Sequence, residues 1–181
     1  PEQLQQLREF GGLQAYPSRV KDSDRVTMTT GSVGLGSGAT IFGALAQQYV
    51  EHHFQHSPQG RYIALVGDAE IDEGNVTEAL GEARVYDLDK LWWIIDFNRQ
   101  SRDFIAHEGR AMETRKLFEA KGWHVILLKY GSAQEAFFKT PHGDRLRDWI
   151  DDCPNVEYQS LCRADGAHIR EVMVNWRGRR D

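Results

Sequence analysis

Tyr62-Ile63-Ala64-Leu65-Val66-Gly67-Asp68-Ala69-Glu70 and, about thirty residues on, Leu91-Trp92-Trp93-Ile94-Ile95-Asp96-Phe97-Asn98 are two apolar runs that each end on a polar cluster. Short continuous runs of this kind read as strands buried on both faces. One helix-length segment, residues 75–85, lies between them, with Val76, Ala79, Leu80 and Ala83 as its inner face and Asn75 as its N-cap. A strand, crossover helix and strand make the two strands parallel and bring their C-terminal ends to one edge. Asp68 and Asn98 are therefore expected to face each other where open α/β sheets bind ligands.

A carboxylate and an amide oxygen at that edge suit a hard cation such as Mg²⁺, which takes oxygen ligands and shares them with phosphates. The competing reading makes Asp68 a helix cap and Asn98 a residue that tolerates a tight loop. The pairing of the two at one strand-helix-strand spacing, with further acids at Glu70 and Glu73, favours a split metal and diphosphate site.

Outward from this unit, residues 2–10 form a short polar helix candidate, broken by Gly11-Gly12 and Pro17. Ile41, Leu45 and Tyr49, with Ala44 and Val50 nearby, give residues 38–53 an amphipathic helical spacing. Residues 110–120 read as a helix stopped by Gly122, 123–128 as a third strand, and 144–150 as a last helix before Pro154. The alternation is that of an α/β fold, a mostly parallel sheet with helices on both faces. The 181 residues are expected to form a single diphosphate- and Mg-binding domain over 1–181.

Composition narrows the class. With 22 basic and 27 acidic residues and a net charge of −5, the chain lacks the basic footprint of a nucleic-acid binder. No apolar stretch reaches the twenty or so residues of a membrane span and no signal-like leader opens the chain, so a cytoplasmic protein is expected. Cys153 and Cys162 fit reduced thiols better than a disulfide framework.

Other constellations are weaker. The glycines at 31, 34, 36 and 38 do not have dinucleotide-fingerprint spacing. His52, His53 and His56 include an i, i+4 pair with metal-ligand spacing, but histidines near a helix C-terminus more often face water and complement its dipole. Trp92 and Trp93 read as sheet packing. Arg163 is a candidate counter-charge for phosphate, while Arg177, Arg179 and Arg180 read as a solvated tail. His168 is a candidate proton donor with a surface-loop histidine as the alternative.

The run Gly67-Asp68-Ala69-Glu70-Ile71-Asp72-Glu73, then Asp96-Phe97-Asn98-Arg99-Gln100, resembles the signature of the thiamine-diphosphate enzymes related to transketolase and to the homodimeric E1 component of pyruvate dehydrogenase. That signature is Gly-Asp-Gly, about thirty residues, then an Asn-containing pair. The resemblance implies that Asp68, the Asn98 side chain and the Gln100 main-chain carbonyl hold Mg²⁺, which grips the diphosphate, with Gly67, Ala69, Glu70 and Asp96 around it. Ala69 stands where the family has Gly; it keeps the backbone N–H but demands a negative φ. Asp96 stands where the E1 enzymes have Asn, putting a second acid near the metal.

Thr27-Met28-Thr29-Thr30-Gly31-Ser32-Val33-Gly34-Leu35-Gly36 resembles the turn beneath the cofactor's aminopyrimidine, with Ser32 at the family's usual Pro, so Gly31, Ser32 and Val33 are implied contacts. Lys121-Gly122-Trp123-His124-Val125-Ile126 is similar to the strand after the metal loop. Tyr158-Gln159-Ser160 and Asp165-Gly166-Ala167-His168-Ile169-Arg170-Glu171 resemble an E1 segment leading into a mobile active-site loop, with Val172 where the family has His.

What the resemblance implies is decarboxylation of a 2-oxo acid and acyl transfer, dependent on thiamine diphosphate and Mg²⁺. The alternatives are a transketolase moving two-carbon units between sugar phosphates, or a binding module that has lost the chemistry. The family's second, pyrimidine-binding domain, which supplies an activating Glu usually from a partner subunit, has no counterpart in this sequence. The chain is thus expected to be a piece of a longer multidomain enzyme or a separately encoded half. It is expected to work as a homodimer beside a lipoyl-bearing acyltransferase, without nucleic acid or membrane as partners.

Overall fold

A computed structural model of the chain describes residues 2–21, 26–54, 60–101 and 103–175. The chain divides into two compact units, Pro1–Asn98 and Arg99–Asp181. His56 and the arginines at 177, 179 and 180 lie outside the described residues.

In the first unit, helix α1 (Leu35–Phe54) leads to strand β1 (Tyr62–Gly67), a 3-10 turn (Asp68–Asp72), helix α2 (Gly74–Val85) and strand β2 (Leu91–Asp96). The strands pair in parallel with Tyr62 opposite Leu91 and Gly67 opposite Asp96. The crossover unit read from the sequence is therefore present, and its strands end flush.

Side-chain alternation sends Ala64 and Val66 to a face covered by α1, where they are 6% and 1% exposed. Ile41 and Ala44 of α1, and Val76, Ala79, Leu80 and Ala83 of α2, are buried. All four expected inner-face residues of α2 are thus in the core. Trp93 is half-buried and its indole N–H donates to Thr40 Oγ1 at 3.0 Å, which ties β2 to α1. On the opposite face Ile63, Leu65, Trp92 and Ile94 are exposed, and the Arg61 guanidinium lies 4.7 Å from the Trp92 ring centre. At the N-terminal end of β2, Lys90 Nζ pairs with Glu51 Oε1 at 2.7 Å.

Two expectations need correction here. Asn75 does not cap α2: the helix begins at Gly74, Glu73 is its N-cap, and the Asn75 amide is engaged elsewhere. The buried stripe of α1 starts at Ser37, one residue before the expected bound, and Tyr49 is exposed, stacked on His53 with ring centres 3.9 Å apart.

The second unit holds a small antiparallel pair, β3 (Gln100–Ser101) with β4 (Phe104–Ile105), and five helices among the described residues: α3 (Arg110–Ala120), α4 (Ser132–Phe138), α5 (Gly143–Asp152), α6 (Asn155–Leu161) and α7 (Gly166–Asn175). Helix α3 spans the residues expected, followed by Gly122 at φ +85°. The expected third strand is absent: residues 123–128 belong to no strand, and Ile126, Leu127 and Leu128 are exposed. An apolar run records a capacity for pairing, whereas a strand exists only where a partner supplies the ladder. Cys153 is buried and Cys162 exposed, both as free thiols, and burial pushes the Cys153 thiol pKa up.

Candidate functional site

Because Gly67 lies opposite Asp96, the chain leaves both parallel strands at the same edge, with Asp68 one residue past β1 and Asn98 two residues past β2. Neighbouring strands lie about 4.8 Å apart, so the two polar clusters start side by side. Asp68 is only 4% exposed, and its Oδ1 accepts the Ala69 N–H at 3.0 Å. Asp96 and Asn98 are exposed. Ala69 sits in the 3-10 turn and is not among the residues with positive φ, so its Cβ is accommodated as its substitution for Gly requires. Its N–H turns to an anion only by leaving Asp68.

Gly31 is half-buried, while Ser32 and Val33 are exposed in the turn before α1. That turn is tied to the Asp68 loop. The Glu70 carboxylate accepts the Gly67 N–H on Oε1 at 3.0 Å and the Gly34 N–H on Oε2 at 2.9 Å. Asn75 Nδ2 donates to the Gly34 carbonyl at 3.3 Å and the Ser37 hydroxyl to the same oxygen at 2.9 Å. The glycine turn, the Gly67-Asp68 loop and the start of α2 are thereby gathered at one end of the sheet.

Within the second unit, Arg99 has a left-handed φ of +63°, a conformation that costs a non-glycine residue energy and that surrounding contacts must hold. Its guanidinium lies 3.9 Å from the Tyr158 ring centre on α6, and the neighbouring Gln100 donates from Nε2 to Gln159 Oε1 at 2.7 Å. Helix α6 is anchored in turn: Asn155 donates from Nδ2 to the Ala106 carbonyl at 2.9 Å, and its N–H donates to Glu108 Oε1 at 2.6 Å. Arg163 is exposed. His168 is exposed on α7 rather than in a loop, and its backbone N–H donates to Asp165 Oδ1 at 2.8 Å.

Among the described residues no group of three or more His, Cys, Asp and Glu could hold a metal ion. A cation at this edge would therefore take a mixed oxygen set, one buried carboxylate with amide or carbonyl oxygens. Such a set suits Mg²⁺ or Ca²⁺ and offers nothing to soft metals.

The role of Glu70 in joining two loops was legible in part, since a Glu three residues after the start of a helical turn commonly accepts a backbone N–H there. Its second bond, to a residue 36 positions away, and the Asn75 bond, 41 positions away, had no local signal.

A family model of the transketolase thiamine diphosphate binding domain matches residues 1–141. The chain belongs to this family. This transketolase-family chain is 29% identical over 176 residues to the pyruvate dehydrogenase E1 component of Escherichia coli K12, which covers 94% of the chain and 20% of that protein. The E1 component of Corynebacterium glutamicum is 26% identical over 167 residues, covering 91% of the chain and 18% of that protein. Human transketolase is 36% identical over 119 residues, covering 64% of the chain and 18% of that protein. The transketolase-family chain thus spans about a fifth of the length of these curated relatives. No helix among its described residues is long and apolar enough to cross a membrane.

Proposed function

We propose that this chain is the diphosphate-anchoring part of a thiamine-diphosphate- and Mg²⁺-dependent enzyme that decarboxylates a 2-oxo acid and passes on the acyl group, as an E1 component does. The observation that carries the reading is the flush parallel register, which brings the buried Asp68 and the donor-bearing Asn98 turn to one sheet edge. Asp68, the Asn98 side chain and the main-chain carbonyl of Gln100, two residues further along, are the ligands we assign to Mg²⁺. The oxygen-only donor set fits that ion.

The cofactor, once bound, supplies the electron sink for loss of carbon dioxide. The chain's own residues position it. Asp68 would hold the cation by its fixed negative charge, and the cation so held would offset the charge of the diphosphate. Gly31, Ser32 and Val33 form the turn against which a flat ring rests. Gly67, Ala69 and Glu70 shape the phosphate side, and Asp96 adds a second acid at the strand end. Phosphate counter-charge from Arg163 and proton delivery by His168 belong to the same reading. A pyrimidine-binding domain or subunit completes the site, with a homodimer and a lipoyl-bearing acyltransferase as the partners and the cytoplasm as the location.

Support for an E1-like rather than a transketolase-like reaction comes from extent: the two E1 relatives above align over 94% and 91% of the chain, human transketolase over 64%. The higher identity of the shorter alignment, 36%, keeps two-carbon transfer between sugar phosphates as the second reading.

Calorimetric titration of the enzyme that contains this chain with thiamine diphosphate tests the proposal. Heat of binding is expected with Mg²⁺ present and lost when the ion is chelated. A titration without Mg²⁺-dependent heat would reject the site and leave a module without cofactor chemistry. Turnover assays of the enzyme that contains this chain, with pyruvate against a ketose phosphate, separate the two reactions.

A further inference from the structure

The glycine turn before α1 and the loop after β1 are far apart in sequence but share one side chain. Both oxygens of Glu70 are engaged by backbone donors, the Gly67 N–H at 3.0 Å and the Gly34 N–H at 2.9 Å. Gly34 is held from its other side by the Asn75 amide and by the hydroxyl of Ser37, which is itself 2% exposed. It also has a φ of +79°, and a Cβ there would come within 2.8 Å of Val76 Cγ2. The turn is therefore set in one place by its backbone conformation, by α2 and by a carboxylate belonging to the Asp68 loop. Bonds from N–H groups to a charged carboxylate are among the stronger kinds. A carboxylate with both oxygens turned to the protein backbone is placed to brace loops, and using it as a ligand would undo the bridge.

We propose that Glu70 is a positioning residue and not a ligand: it locks the turn at 31–36 against the loop carrying Asp68, so that the ring-supporting and phosphate-anchoring parts of the site stand in register before anything binds. The inference rests on the site reading above. Its physical benefit is that the ordering cost of two loops is met during folding rather than during binding.

Glu70→Gln tests it, because glutamine keeps the size and one acceptor oxygen but turns an amide N–H₂ toward the other backbone donor. Two readouts are needed in the full chain: amide hydrogen exchange with no ligand present, and calorimetric titration of thiamine diphosphate at saturating Mg²⁺. The brace predicts faster exchange at Gly34 and Gly67 in the ligand-free variant, together with affinity weakened by roughly 10–100-fold, the usual effect of losing a residue that supports a metal site from behind. Weakened binding with unchanged exchange would overturn the proposal in favour of direct contact with the cofactor. Faster exchange with unchanged affinity would overturn it by showing that the site does not depend on the bridge. If the unsubstituted chain takes up no thiamine diphosphate, the site reading fails and takes this role with it, while the exchange data still report separately whether the bridge exists. Glu70→Asp, charged but one methylene shorter and unable to span both loops, supplies the same two readouts should the glutamine variant fold poorly.

Discussion

The two strand ends that meet at the site are built differently. The Asp68 end is buried, sits in a 3-10 turn, and is tied through Glu70 to the glycine turn at 2.9 Å, which Asn75 of α2 holds in its turn at 3.3 Å. The Asn98 end is exposed, and the residue after it adopts a left-handed conformation. One end is preformed and low in dielectric, which strengthens the pull of its charge on a cation. The other is exposed to solvent, and its amide is neutral. In the proposed site the contrast assigns most of the anchoring to Asp68 and leaves Asn98 to complete the ion's coordination.

Substitutions at the two ends should therefore differ most. Asp68→Ala is expected to abolish Mg²⁺-dependent binding of thiamine diphosphate, because the buried counter-charge is gone. Asn98→Ala should weaken it less and leave binding detectable, because the ligand removed is neutral and the buried carboxylate stays in place. Calorimetry on both variants reads the comparison directly, and equal losses would break it.

Gly34→Ala comes next. A side chain forced into the left-handed region costs about 1–3 kcal/mol, and the 2.8 Å approach to Val76 Cγ2 adds to it. Denaturant unfolding should show that loss of stability, with weaker cofactor binding beside it. A stable variant would mean that the Asp68 end is less rigid than its hydrogen bonds imply.

In the second unit, Tyr158→Ala removes the ring under Arg99, a contact worth about 0.5–1 kcal/mol at an exposed position. Unfolding of that unit should register this small change, and a loss as large as that from Gly34→Ala would erase the distinction between a rigid end and an open one.

The smallest effect belongs to Lys90→Met, at the opposite end of the strands. Hydrogen bonds from Lys90 and then Gln47 hold the Glu51 carboxyl below its ordinary range, so the pair stabilises the fold above that range and its contribution disappears as pH falls through the lowered value. A slight loss in thermal midpoint is expected at neutral pH, vanishing in strong acid, with cofactor binding untouched. Altered binding would show that the strands transmit strain along their length.

What the sequence disclosed follows the range of the forces involved. The strand-helix-strand unit was legible because its spacing, its apolar runs and the four buried residues of α2 are local patterns, and the parallel edge with Asp68 and Asn98 comes with it. The third strand was not, since residues 123–128 have strand-like composition but pairing is decided by distant chain. Helix α6 was missed because Pro154 reads as a breaker, yet it serves as the N-cap, a position compatible with its fixed φ. The sequence of helix α7 resembles a segment leading into a loop, and α4, seven residues long, has too few turns to show a periodicity. At the sheet edge, the placement of Asp68 and Asn98 at neighbouring strand ends was legible, whereas the bonds linking Glu70 to Gly34 and Asn75 to Gly34 depend on the fold having closed.

The most direct test of the account is the position of the ion itself. Crystals of the chain grown with thiamine diphosphate and Mn²⁺ in place of Mg²⁺ give an anomalous signal that locates the metal. A single peak bonded to both Asp68 and Asn98 at the C-terminal edge of the two strands is expected. A peak bonded to neither, or held by Asp68 with the Asn98 amide turned away, would contradict it.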